Sequence, residues 1–409
     1  MNLHLSSISN IHTAQLHLTG SKSETNRLLL LQALYPNLAL ENTSISDDSE
    51  VMHAALATTQ QWIDVHHAGT AMRFLTAFFA VNEGKEVVLT GSSRMQERPI
   101  QVLVAALNQL GALITYENQE GYPPIRIKGK KITASKVSLP AHVSSQYISA
   151  LLLIAPTLEN GLEITIEGEI TSLPYIQMTL ALLHEIGIAT SFQNNTITVQ
   201  PKSTVANCNW VIESDWSSAS YWFSIIAMSK IGTQVTLSSY KKESLQGDSV
   251  VVELYKNFGV ETVYNDNNSI TLTKTQNPKT ETLHFQLNNA PDIAQTIAVT
   301  CFGLGLACNL TGLHTLKIKE TDRLVALKNE LTKLGASVAV TNDGLHLDAN
   351  AVIKSNVTIA TYNDHRMAMA FAPLALQVPL IIEEVEVVSK SYPTFWEDLI
   401  TVGFDIKQV

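Results

Sequence analysis

Cysteine and long apolar runs are scarce in this chain of 409 residues. Its three cysteines, Cys208, Cys301 and Cys308, have no metal-binding spacing and suggest no disulfide framework, so we expect a cytoplasmic protein. No apolar run reaches the roughly 18 residues that a membrane span needs. The N-terminal stretch lacks a basic start followed by an apolar core, and we expect no secretory signal peptide.

Positive charge is also in short supply. The chain has 27 Lys and Arg against 37 Asp and Glu, a formal net charge of -10, which argues against a general nucleic-acid-binding protein. Small anionic ligands are not excluded, because they respond to local clusters of charge. With 45% apolar and 16% charged residues, a chain of this length is predicted to be globular and to form two domains.

Arginine is the scarcest basic residue, and its seven copies are unevenly placed. Arg126 stands alone, whereas the other six fall in a few short motifs. These six are Arg27, Arg73, Arg94, Arg98, Arg323 and Arg366. Arginines that served only solubility would be scattered along the chain, so the clustering indicates anion binding.

Four segments share one layout: an amphipathic helix, a glycine that ends it, and two short alternating strands. The glycines are Gly111, Gly187, Gly259 and Gly335, at spacings of 76, 72 and 76 residues. Gly403 marks a fifth copy 68 residues further on, and residues 47–65 resemble a sixth copy without the glycine. We expect each glycine to adopt the left-handed conformation that closes a helix.

A period of about 70 residues is too long for a solenoid, whose repeats run at about 20–50 residues. Six such units make two domains of three units each, with mixed α/β structure. Helices that end at glycine before a strand occur in any α/β protein, but this does not account for the nearly constant spacing. We therefore favour true repeats.

Small polar and basic residues cluster where apolar helices are predicted to begin. In "LTGSKSETNRLLLLQAL" a Gly/Ser-rich turn precedes a leucine-rich helix, and Lys22 and Arg27 add charge. Free backbone N–H groups and the positive end of a helix dipole attract anions. A capped helix with surface bases explains this stretch, taken alone, equally well.

Two further motifs carry arginines. "HHAGTAMRFLTAFFA" opens a helix at Gly69 with Arg73 in its first turn, where a cation opposes the helix dipole and so needs a ligand or an acidic partner. "GSSRMQERPIQVL" carries Arg94 and Arg98, and Pro99 suits the first turn of the next helix. Paired arginines match carboxylate or phosphate oxygens, although a salt bridge to the intervening glutamate would also explain them.

Hydroxyl and amide side chains precede another apolar helix in "AHVSSQYISALLLIAP". Ser144, Ser145 and Gln146 could there bind phosphate or sugar-like hydroxyls. Serines at such positions are also ordinary helix caps, and the two explanations have equal weight for this motif alone.

The second half of the chain places charged residues at further predicted helix starts. They are Asp292; Lys317, Lys319, Glu320, Asp322 and Arg323; Asp364, His365 and Arg366; and Lys390. Convergent helix N-termini with added cations predict ligands that carry at least one phosphate and a carboxylate. Asp292 and Glu320 are candidate general acids or bases, although Asp292 could also serve the helix dipole alone.

Several motifs together resemble one family. They are SKSETNR, AGTAMR, RMQERPI, SSQYISALL, DWSSASYW, the Pro-Asp pair at 291–292, KETDRL, NDHRMAMA and KSYPTFWEDL, in this order from residue 21 to residue 399. On these residues the sequence resembles the enolpyruvyl transferases, and in particular the 5-enolpyruvylshikimate-3-phosphate synthase family. KETDR and DHRMAM together are highly specific.

The resemblance implies an α/β fold, a two-domain inside-out α/β barrel. Each domain would hold three repeats of a mixed α/β unit, and the active site would lie in the interdomain cleft. The first domain is expected to be discontinuous, formed by residues 1–20 and 213–409, and the second to be formed by residues 21–212.

The implied reaction transfers the enolpyruvyl group of phosphoenolpyruvate to the 5-hydroxyl of shikimate 3-phosphate and releases phosphate. It proceeds by addition and elimination through a tetrahedral intermediate. The step belongs to the shikimate pathway, which leads through chorismate to the aromatic amino acids. The resemblance also implies a monomer that uses no metal or organic cofactor and has no nucleic-acid or membrane partner. Glyphosate is the implied inhibitor.

The resemblance assigns site residues position by position. Shikimate 3-phosphate would be bound by Ser23, Arg27, Ser144, Ser145, Gln146, Ser172, Tyr175, Asp292 and Lys319. Phosphoenolpyruvate would be bound by Lys22, Gly69, Arg98, Gln146, Arg323, Arg366 and Lys390. Its carboxylate would contact Arg323 and Arg366, and its phosphate would contact Lys22, Arg98 and Lys390.

Catalytic roles are implied for four of these residues and for Glu320. Asp292, or Lys319 beside it, would take the proton of the shikimate 5-hydroxyl as that oxygen attacks C2 of phosphoenolpyruvate. Glu320, alone or with Lys390, would give a proton to C3 and later remove one. Lys22 and the other cations would stabilise the tetrahedral intermediate.

The sequence departs from the family pattern in three places. His67 stands where an asparagine precedes the glycine loop, and Thr315 stands where an asparagine often contacts the shikimate phosphate. The segment 47–67 is short and lacks a strand pair. His67 could still donate a hydrogen bond to phosphate, with a pH dependence centred at about pH 6.5 as for an ordinary histidine.

Two alternatives remain at this point. UDP-N-acetylglucosamine enolpyruvyl transferases share the fold, but they use a loop cysteine where this chain has "SSRMQER", and they lack the KETDR turn. An inactive homologue, or a polyanion-binding module, is the second alternative. All the expected proton-transfer residues and cations are present, which favours an enzyme, while His67 and Thr315 keep this alternative open.

Overall fold

The computed structural model describes residues 1–141, 144–168, 170, 173–349 and 352–409. The chain divides into two compact units. Unit 1 comprises Met1–Thr19 and Glu213–Val409, and unit 2 comprises Gly20–Ile212. No helix in the described part of the chain is long and apolar enough to cross a membrane.

The described residues form twenty-two short strands. Their bounds are β1 (Leu3–Leu5), β2 (Ala14–Leu16), β3 (Leu38–Glu41), β4 (Trp62–Asp64), β5 (Glu86–Thr90), β6 (Leu113–Tyr116), β7 (Ile125–Lys128), β8 (Lys136–Pro140), β9 (Leu162–Glu167), β10 (Thr190–Gln193), β11 (Thr196–Val199), β12 (Cys208–Val211), β13 (Gln234–Ser238), β14 (Val260–Tyr264), β15 (Ser269–Lys274), β16 (Leu283–Gln286), β17 (Cys308–Thr311), β18 (Val338–Val340), β19 (Gly344–Leu347), β20 (Val357–Ile359), β21 (Leu380–Ile382) and β22 (Ile406–Gln408).

Helices alternate with these strands along the chain. The α-helices are α1 (Lys22–Leu34), α2 (Asp47–Ala57), α3 (Gly69–Val81), α4 (Ser93–Gln96), α5 (Gln101–Leu110), α6 (Ser145–Ile154), α7 (Leu173–Glu185), α8 (Trp216–Met228), α9 (Val251–Leu254), α10 (Ala294–Gly303), α11 (Arg323–Lys333), α12 (His365–Phe371) and α13 (Phe395–Thr401). Short 3-10 helices occupy Ala155–Thr157, Gly247–Val250, Tyr255–Phe258, Pro291–Ile293, His314–Ile318, Ala372–Leu376 and Val385–Lys390.

The strands in the described part of the chain pair into six sheets. In unit 1 the strand orders are β2-β13-β15-β14, β16-β17-β19-β18 and β20-β21-β1-β22. In unit 2 the strand orders are β4-β5-β7-β6, β8-β9-β11-β10 and the two-stranded β3-β12. Every four-stranded sheet consists of one parallel pair followed by two antiparallel pairings.

The antiparallel strands confirm the layout predicted from the glycines. The hairpins β6–β7, β10–β11, β14–β15 and β18–β19 each follow one of the four spaced glycines. After Gly403 the chain supplies only β22, and β1 from the N-terminus takes the place of its hairpin partner. The parallel pair β3–β12 has no such hairpin, which confirms the missing strand pair in the segment 47–67.

All five helix-ending glycines have the predicted left-handed backbone. Their φ angles are 106° at Gly111, 82° at Gly187, 73° at Gly259, 108° at Gly335 and 105° at Gly403. A residue with a Cβ is strained in this conformation, so the glycines allow each helix to stop and the chain to turn into the next strand.

The central helices of each unit are apolar on nearly all sides. In unit 1, α8 buries every residue except Ser217, and α10 and α12 are also buried along most of their length. In unit 2, α3 is buried apart from Thr70 and Val81. A helix that is apolar all round lies inside a core.

The motif clusters coincide with helix starts, with three corrections. The helices that begin in them have as first residues Lys22, Gly69, Ser145, Trp216, Arg323 and His365. Pro99 lies before α5 and not in its first turn, because Ile100 still has a non-helical backbone. Lys390 ends a 3-10 helix and does not begin an α-helix. Arg73 is the fifth residue of α3, beyond its first turn.

Candidate active site

The most highly charged cluster of unit 1 is centred on the buried guanidinium of Arg323. Its Nε donates to Asp364 Oδ2 at 2.6 Å, its Nη1 to Asp292 Oδ1 at 2.9 Å and its Nη2 to Glu320 Oε2 at 2.7 Å. All three nitrogen atoms of one guanidinium are therefore bound by three different carboxylates. The structure brings the two predicted proton-transfer residues, Asp292 and Glu320, together on this single side chain.

Three helix starts build this cluster. Arg323 is the first residue of α11, whose N-cap Asp322 accepts hydrogen bonds from two backbone N–H groups of the first turn. Asp364 is the N-cap of α12 and accepts from the backbone N of Arg366 at 2.9 Å. Asp292 lies in the 3-10 turn Pro291–Ile293 that leads into α10. Side chains that cap helices thus set the positions of the charges.

Asp292 is surrounded by cations. Besides Arg323, the Nη2 of Arg366 lies 3.2 Å from Asp292 Oδ2, and Lys319 Nζ lies 3.7 Å from Oδ1. Arg366 Nη1 also donates to the backbone carbonyl of Asp292 at 3.1 Å. Both oxygens of the carboxylate therefore face positive charge, and its orientation is fixed.

Asp248 is a further buried acid of this region that the sequence analysis did not single out. It lies in the 3-10 helix Gly247–Val250, and the hydroxyl of Ser217 donates to its Oδ2. Burial, followed by repulsion from Asp292, raises the pKa of Asp248 to about 7. No helix-start motif surrounds this residue in the sequence, so no local pattern pointed to it.

Lys390 lies beside the turn that leads into α12. Its Nζ donates to the backbone carbonyl of Asn363 at 2.6 Å. Tyr362 and Asn363 both have positive φ angles, 55° and 56°, which are uncommon for residues with a Cβ. The Tyr362 hydroxyl donates to the buried Glu330 at 2.6 Å, and this bond holds the strained turn.

In unit 2, Lys22 and His67 share an acidic neighbour. Lys22 Nζ lies 3.7 Å from Asp48 Oδ2, and His67 Nε2 lies 3.8 Å from Asp48 Oδ1 and from Asp47 Oδ2. Both acids belong to the first turn of α2, where they also suit the helix dipole. The histidine that replaces the family's asparagine is thus placed next to a predicted phosphate ligand.

Arg27 is buried, and its donors are used within the protein. Its guanidinium donates to the side chains of Thr179 and Ser149 and to the backbone carbonyls of Ser23 and Tyr175. Burial lowers the pKa of Arg27 to about 10. The guanidinium thereby ties α1 to α6 and α7, and it brings the predicted ligands Ser23 and Tyr175 to one place.

Gly69 and Arg98 are in direct contact. A Cβ added to Gly69 would lie 2.7 Å from Arg98 Nη1, so only glycine leaves room for the guanidinium there. Arg94 behaves differently, because its Nη1 forms an exposed salt bridge of 2.9 Å with Glu97. The salt-bridge explanation is therefore correct for Arg94, whereas Arg98 lies against the start of α3.

The start of α6 holds three predicted ligands. Ser144 is the N-cap and accepts from the backbone N of Gln146 at 3.3 Å, while Ser145 is buried. Gln146 Nε2 donates to Thr70 Oγ1 at 3.1 Å, which links α6 to the first turn of α3. Ser172 lies outside the described residues.

The predicted site residues of unit 1 thus form one group. Those of unit 2 form several groups within that unit. The unit 1 group is Asp292, Lys319, Glu320, Arg323 and Arg366. Lys390 is connected to it through the carbonyl of Asn363, the residue before Asp364. Sequence reasoning gave no role to Asp364, Asp248 or Asp48. Among the described residues, no group of three or more His, Cys, Asp or Glu side chains could hold a metal ion.

The fold is that of the enolpyruvyl transferases. A solved EPSP synthase from Acinetobacter baumannii aligns with a TM-score of 0.81 at 20% sequence identity, over 100% of both chains. The enolpyruvyl transferase NikO from Streptomyces tendae aligns with a TM-score of 0.74 at 12% identity, over 100% of this chain and 98% of that one. The predicted α/β inside-out fold is confirmed.

Sequence comparison narrows this class to one family. The profile of the EPSP synthase (3-phosphoshikimate 1-carboxyvinyltransferase) family matches residues 37–399, and the chain belongs to that family. It is 46% identical to the 3-phosphoshikimate 1-carboxyvinyltransferase of Bacteroides fragilis, over 96% of both chains. It is 35% identical to that of Colwellia psychrerythraea, over 95% of this chain and 96% of the relative. The prediction of an enolpyruvyl transferase that acts on shikimate 3-phosphate, in the pathway to aromatic amino acids, is thereby confirmed.

Proposed function

We propose that this chain performs the family reaction with Asp292 and Glu320 as its proton-transfer residues, and with Arg323 positioning both. The observation that carries the proposal is the arrangement of the two carboxylates on one guanidinium, at 2.9 and 2.7 Å. A fixed pair of carboxylates suits a reaction that removes a proton from one substrate and adds a proton to the other.

The proposed reaction has two stages. First, Asp292 takes the proton of the shikimate 5-hydroxyl while that oxygen bonds to C2 of phosphoenolpyruvate, and Glu320 gives a proton to C3. The product of this stage is a tetrahedral adduct that still carries the phosphate. Second, Glu320 removes a proton from C3, the C2–O bond to phosphate breaks, and Asp292 gives its proton to the departing phosphate, so that the enolpyruvyl ether and phosphate leave and both carboxyl groups return to their starting states. Lys319 supports Asp292, from which it is 3.7 Å distant.

The cations of both units are proposed to bind the substrates. Phosphoenolpyruvate would be bound by Lys22, Gly69, Arg98, Gln146, Arg323, Arg366 and Lys390. Shikimate 3-phosphate would be bound by Ser23, Arg27, Ser144, Ser145, Gln146, Ser172, Tyr175, Asp292 and Lys319. Arginine and lysine in these positions would stabilise the charge of the tetrahedral adduct, since charge stabilisation is usually the largest catalytic contribution.

Binding of the phosphoenolpyruvate carboxylate to Arg323 requires a protein carboxylate to leave. Asp364 is fully buried, and the side chain of Asp292 is 12% exposed and held by Arg366 as well. Glu320 is the most exposed of the three, with 30% of its side chain accessible. We propose that the substrate carboxylate displaces Glu320 from Nη2 of Arg323, and that Glu320, once it has lost this cation, takes up from solvent the proton that it then gives to C3.

A phosphate-release assay tests the proposed function. The protein is mixed with phosphoenolpyruvate and shikimate 3-phosphate, and free phosphate is measured; UDP-N-acetylglucosamine replaces the acceptor in a parallel reaction. Release with shikimate 3-phosphate alone supports the proposal. Tight binding of both substrates without release would indicate an inactive homologue, and release with the UDP-sugar would overturn the assignment of the acceptor. An Asp292→Asn preparation, purified identically, measures contaminating activity.

Three further properties are proposed on the same basis. Glyphosate should compete with phosphoenolpyruvate and not with shikimate 3-phosphate, which inhibition patterns against each substrate would distinguish. The enzyme should be a monomer, which light scattering during size-exclusion chromatography measures. Its site of action is proposed to be the cytoplasm, where a fluorescently tagged chain would be found.

A further inference from the structure

Arg73 contacts segments that carry predicted phosphoenolpyruvate ligands of unit 2, at Gly69 and next to Arg98. No role in substrate binding or in the mechanism has so far been assigned to it. The residue is only 4% exposed. Nη1 donates to the backbone carbonyl of Gly69 at 3.1 Å and to Met95 Sδ at 3.5 Å, and Nη2 donates to the carbonyl of Pro99 at 3.2 Å. Arg73 therefore joins the start of α3 to the segment that carries Arg98.

Tyr147 extends the same connection to α6. Its hydroxyl donates to the carbonyl of Pro99 at 2.6 Å, so this carbonyl accepts from Arg73 and from Tyr147. The Arg73 guanidinium also lies 6.0 Å from the centre of the Tyr147 ring. Tyr147 directly follows Gln146, whose amide donates to Thr70 on α3. The carbonyl of Pro99 thus connects the elements that carry Gly69, Arg98 and Gln146.

The charge of Arg73 has no acidic partner among the described residues, where its acceptors are two backbone carbonyls and a thioether. Of the two expected alternatives, a ligand or an acidic partner, the described residues do not supply the acidic partner. Its Nε is a buried donor that finds no acceptor in the described part of the chain. Burial, and then repulsion from the neighbouring Arg98, lower the pKa of Arg73 to about 10. A buried, uncompensated guanidinium beside a second one makes this place favourable for an anion.

We infer that Arg73 is a positioning residue that holds Gly69, Arg98 and Gln146 as one set for phosphoenolpyruvate and adds buried positive charge beneath it. The inference rests on the proposed function, which assigns those three residues to that substrate. It predicts that loss of the Arg73 contacts weakens phosphoenolpyruvate more than shikimate 3-phosphate, because of these three residues only Gln146 is also assigned to shikimate 3-phosphate. The predicted ligands of shikimate 3-phosphate on α1 and α7 are held separately by Arg27.

The test uses Arg73→Lys, Arg73→Met and Tyr147→Phe. Lysine retains the charge but cannot reach both carbonyls with a fork of donors. We expect KM for phosphoenolpyruvate to rise about tenfold in Arg73→Lys and further in Arg73→Met, as for the loss of charged hydrogen bonds. KM for shikimate 3-phosphate should change by less than about twofold. Arg126→Lys, which alters an exposed arginine of the same unit, is the matched control.

Tyr147→Phe removes one hydroxyl and keeps the ring, so it separates positioning from misfolding. We expect a smaller rise in the KM for phosphoenolpyruvate than in Arg73→Lys. In the double variant, the fold-change in this KM should differ from the product of the two single fold-changes, because both side chains donate to one carbonyl. Equal rises in both KM values for Arg73→Lys, or no rise for phosphoenolpyruvate, would overturn the inference.

A parallel Arg98→Ala variant separates this inference from the proposed function. If Arg98→Ala leaves the KM for phosphoenolpyruvate unchanged, the assignment of the ligands fails, and the inference about Arg73 fails with it. If Arg98→Ala raises that KM and Arg73→Lys does not, the assignment holds and only the positioning role of Arg73 is rejected.

Discussion

Arg323 donates through Nη2 to Glu320 Oε2 at 2.7 Å, three residues away on the same turn. Its other donors bind Asp364 and Asp292, which lie in different elements. Glu320 is close to Arg323 in sequence, and it is the most exposed of the three acids that bind this arginine. A substrate carboxylate could therefore replace Glu320 with the smallest loss of free energy. An arginine whose donors are all bound by protein carboxylates can in this way still bind the carboxylate of a substrate.

Replacement of Glu320 by alanine should lower both kcat and the KM for phosphoenolpyruvate. Loss of an ordinary ligand would instead raise that KM. Without its carboxylate, Nη2 of Arg323 keeps only the long contact of 3.5 Å with Asp364 Oδ1, and we expect KM for phosphoenolpyruvate to fall by about threefold or more. Because proton transfer to C3 loses its donor, kcat should fall by about a hundredfold or more. Steady-state kinetics measures both. A rise in KM would reject the displacement, and Glu261→Ala, an exposed substitution in the same unit, is the control.

Asp292→Ala should abolish most turnover without unfolding the protein. Removal of the proposed proton acceptor should lower kcat by about a hundred- to ten-thousandfold. Phosphate release measures the rate, and circular dichroism checks the fold. Asp266→Ala, a substitution of an exposed acid in unit 1, should leave the rate unchanged. A rate for Asp292→Ala close to that of the control would remove Asp292 from the mechanism.

Arg323→Met should destabilise unit 1 strongly. The substitution leaves the fully buried carboxylate of Asp364 without its cation, and breaking such a buried pair costs about 3–5 kcal/mol. Denaturant unfolding of the two proteins gives the difference. Lys256→Met breaks an exposed pair with Glu253 and should have little effect. Equal losses in both variants would mean that burial of the Arg323 cluster contributes nothing.

Asp248 should make the protein less stable as pH rises through the weakly acidic range. Its folded pKa of about 7 lies above the ordinary value of 3.8, so between these values the native state holds more protons than the unfolded state. Stability then falls with rising pH. Asp248→Asn should lose this fall, and its advantage over wild type should grow from pH 4 to pH 7 in denaturant titrations. Asp266→Asn should show a constant difference across that range.

Local features of this protein were predictable from its sequence, because one residue and its neighbours determine them. The left-handed glycines, such as Gly111 and Gly403, follow from backbone preferences. The helix starts at Ser145 and Arg323 follow from the capping side chains that precede them. The family resemblance then gave the fold as a whole, since the motifs run along nearly the full chain.

The partners of the arginines were not predictable in the same way. Asp292 and Asp364 are 31 and 41 residues from Arg323 in sequence, and no spacing rule connects them. The charged turn suggested an arginine open to a substrate carboxylate, whereas its guanidinium is fully bound by the protein. Arg73 likewise pairs with carbonyls, which every residue has and which therefore leave no mark in the sequence.

β1 cannot pair until nearly all of the sequence has been synthesised. Its two partners are β21 (Leu380–Ile382) and β22 (Ile406–Gln408), near the other end of the sequence. Gly20–Ile212 can meanwhile fold as a continuous segment. β1 is therefore unpaired while all of unit 2 and most of unit 1 are synthesised, and its sheet can form only once β21 and β22 have been made.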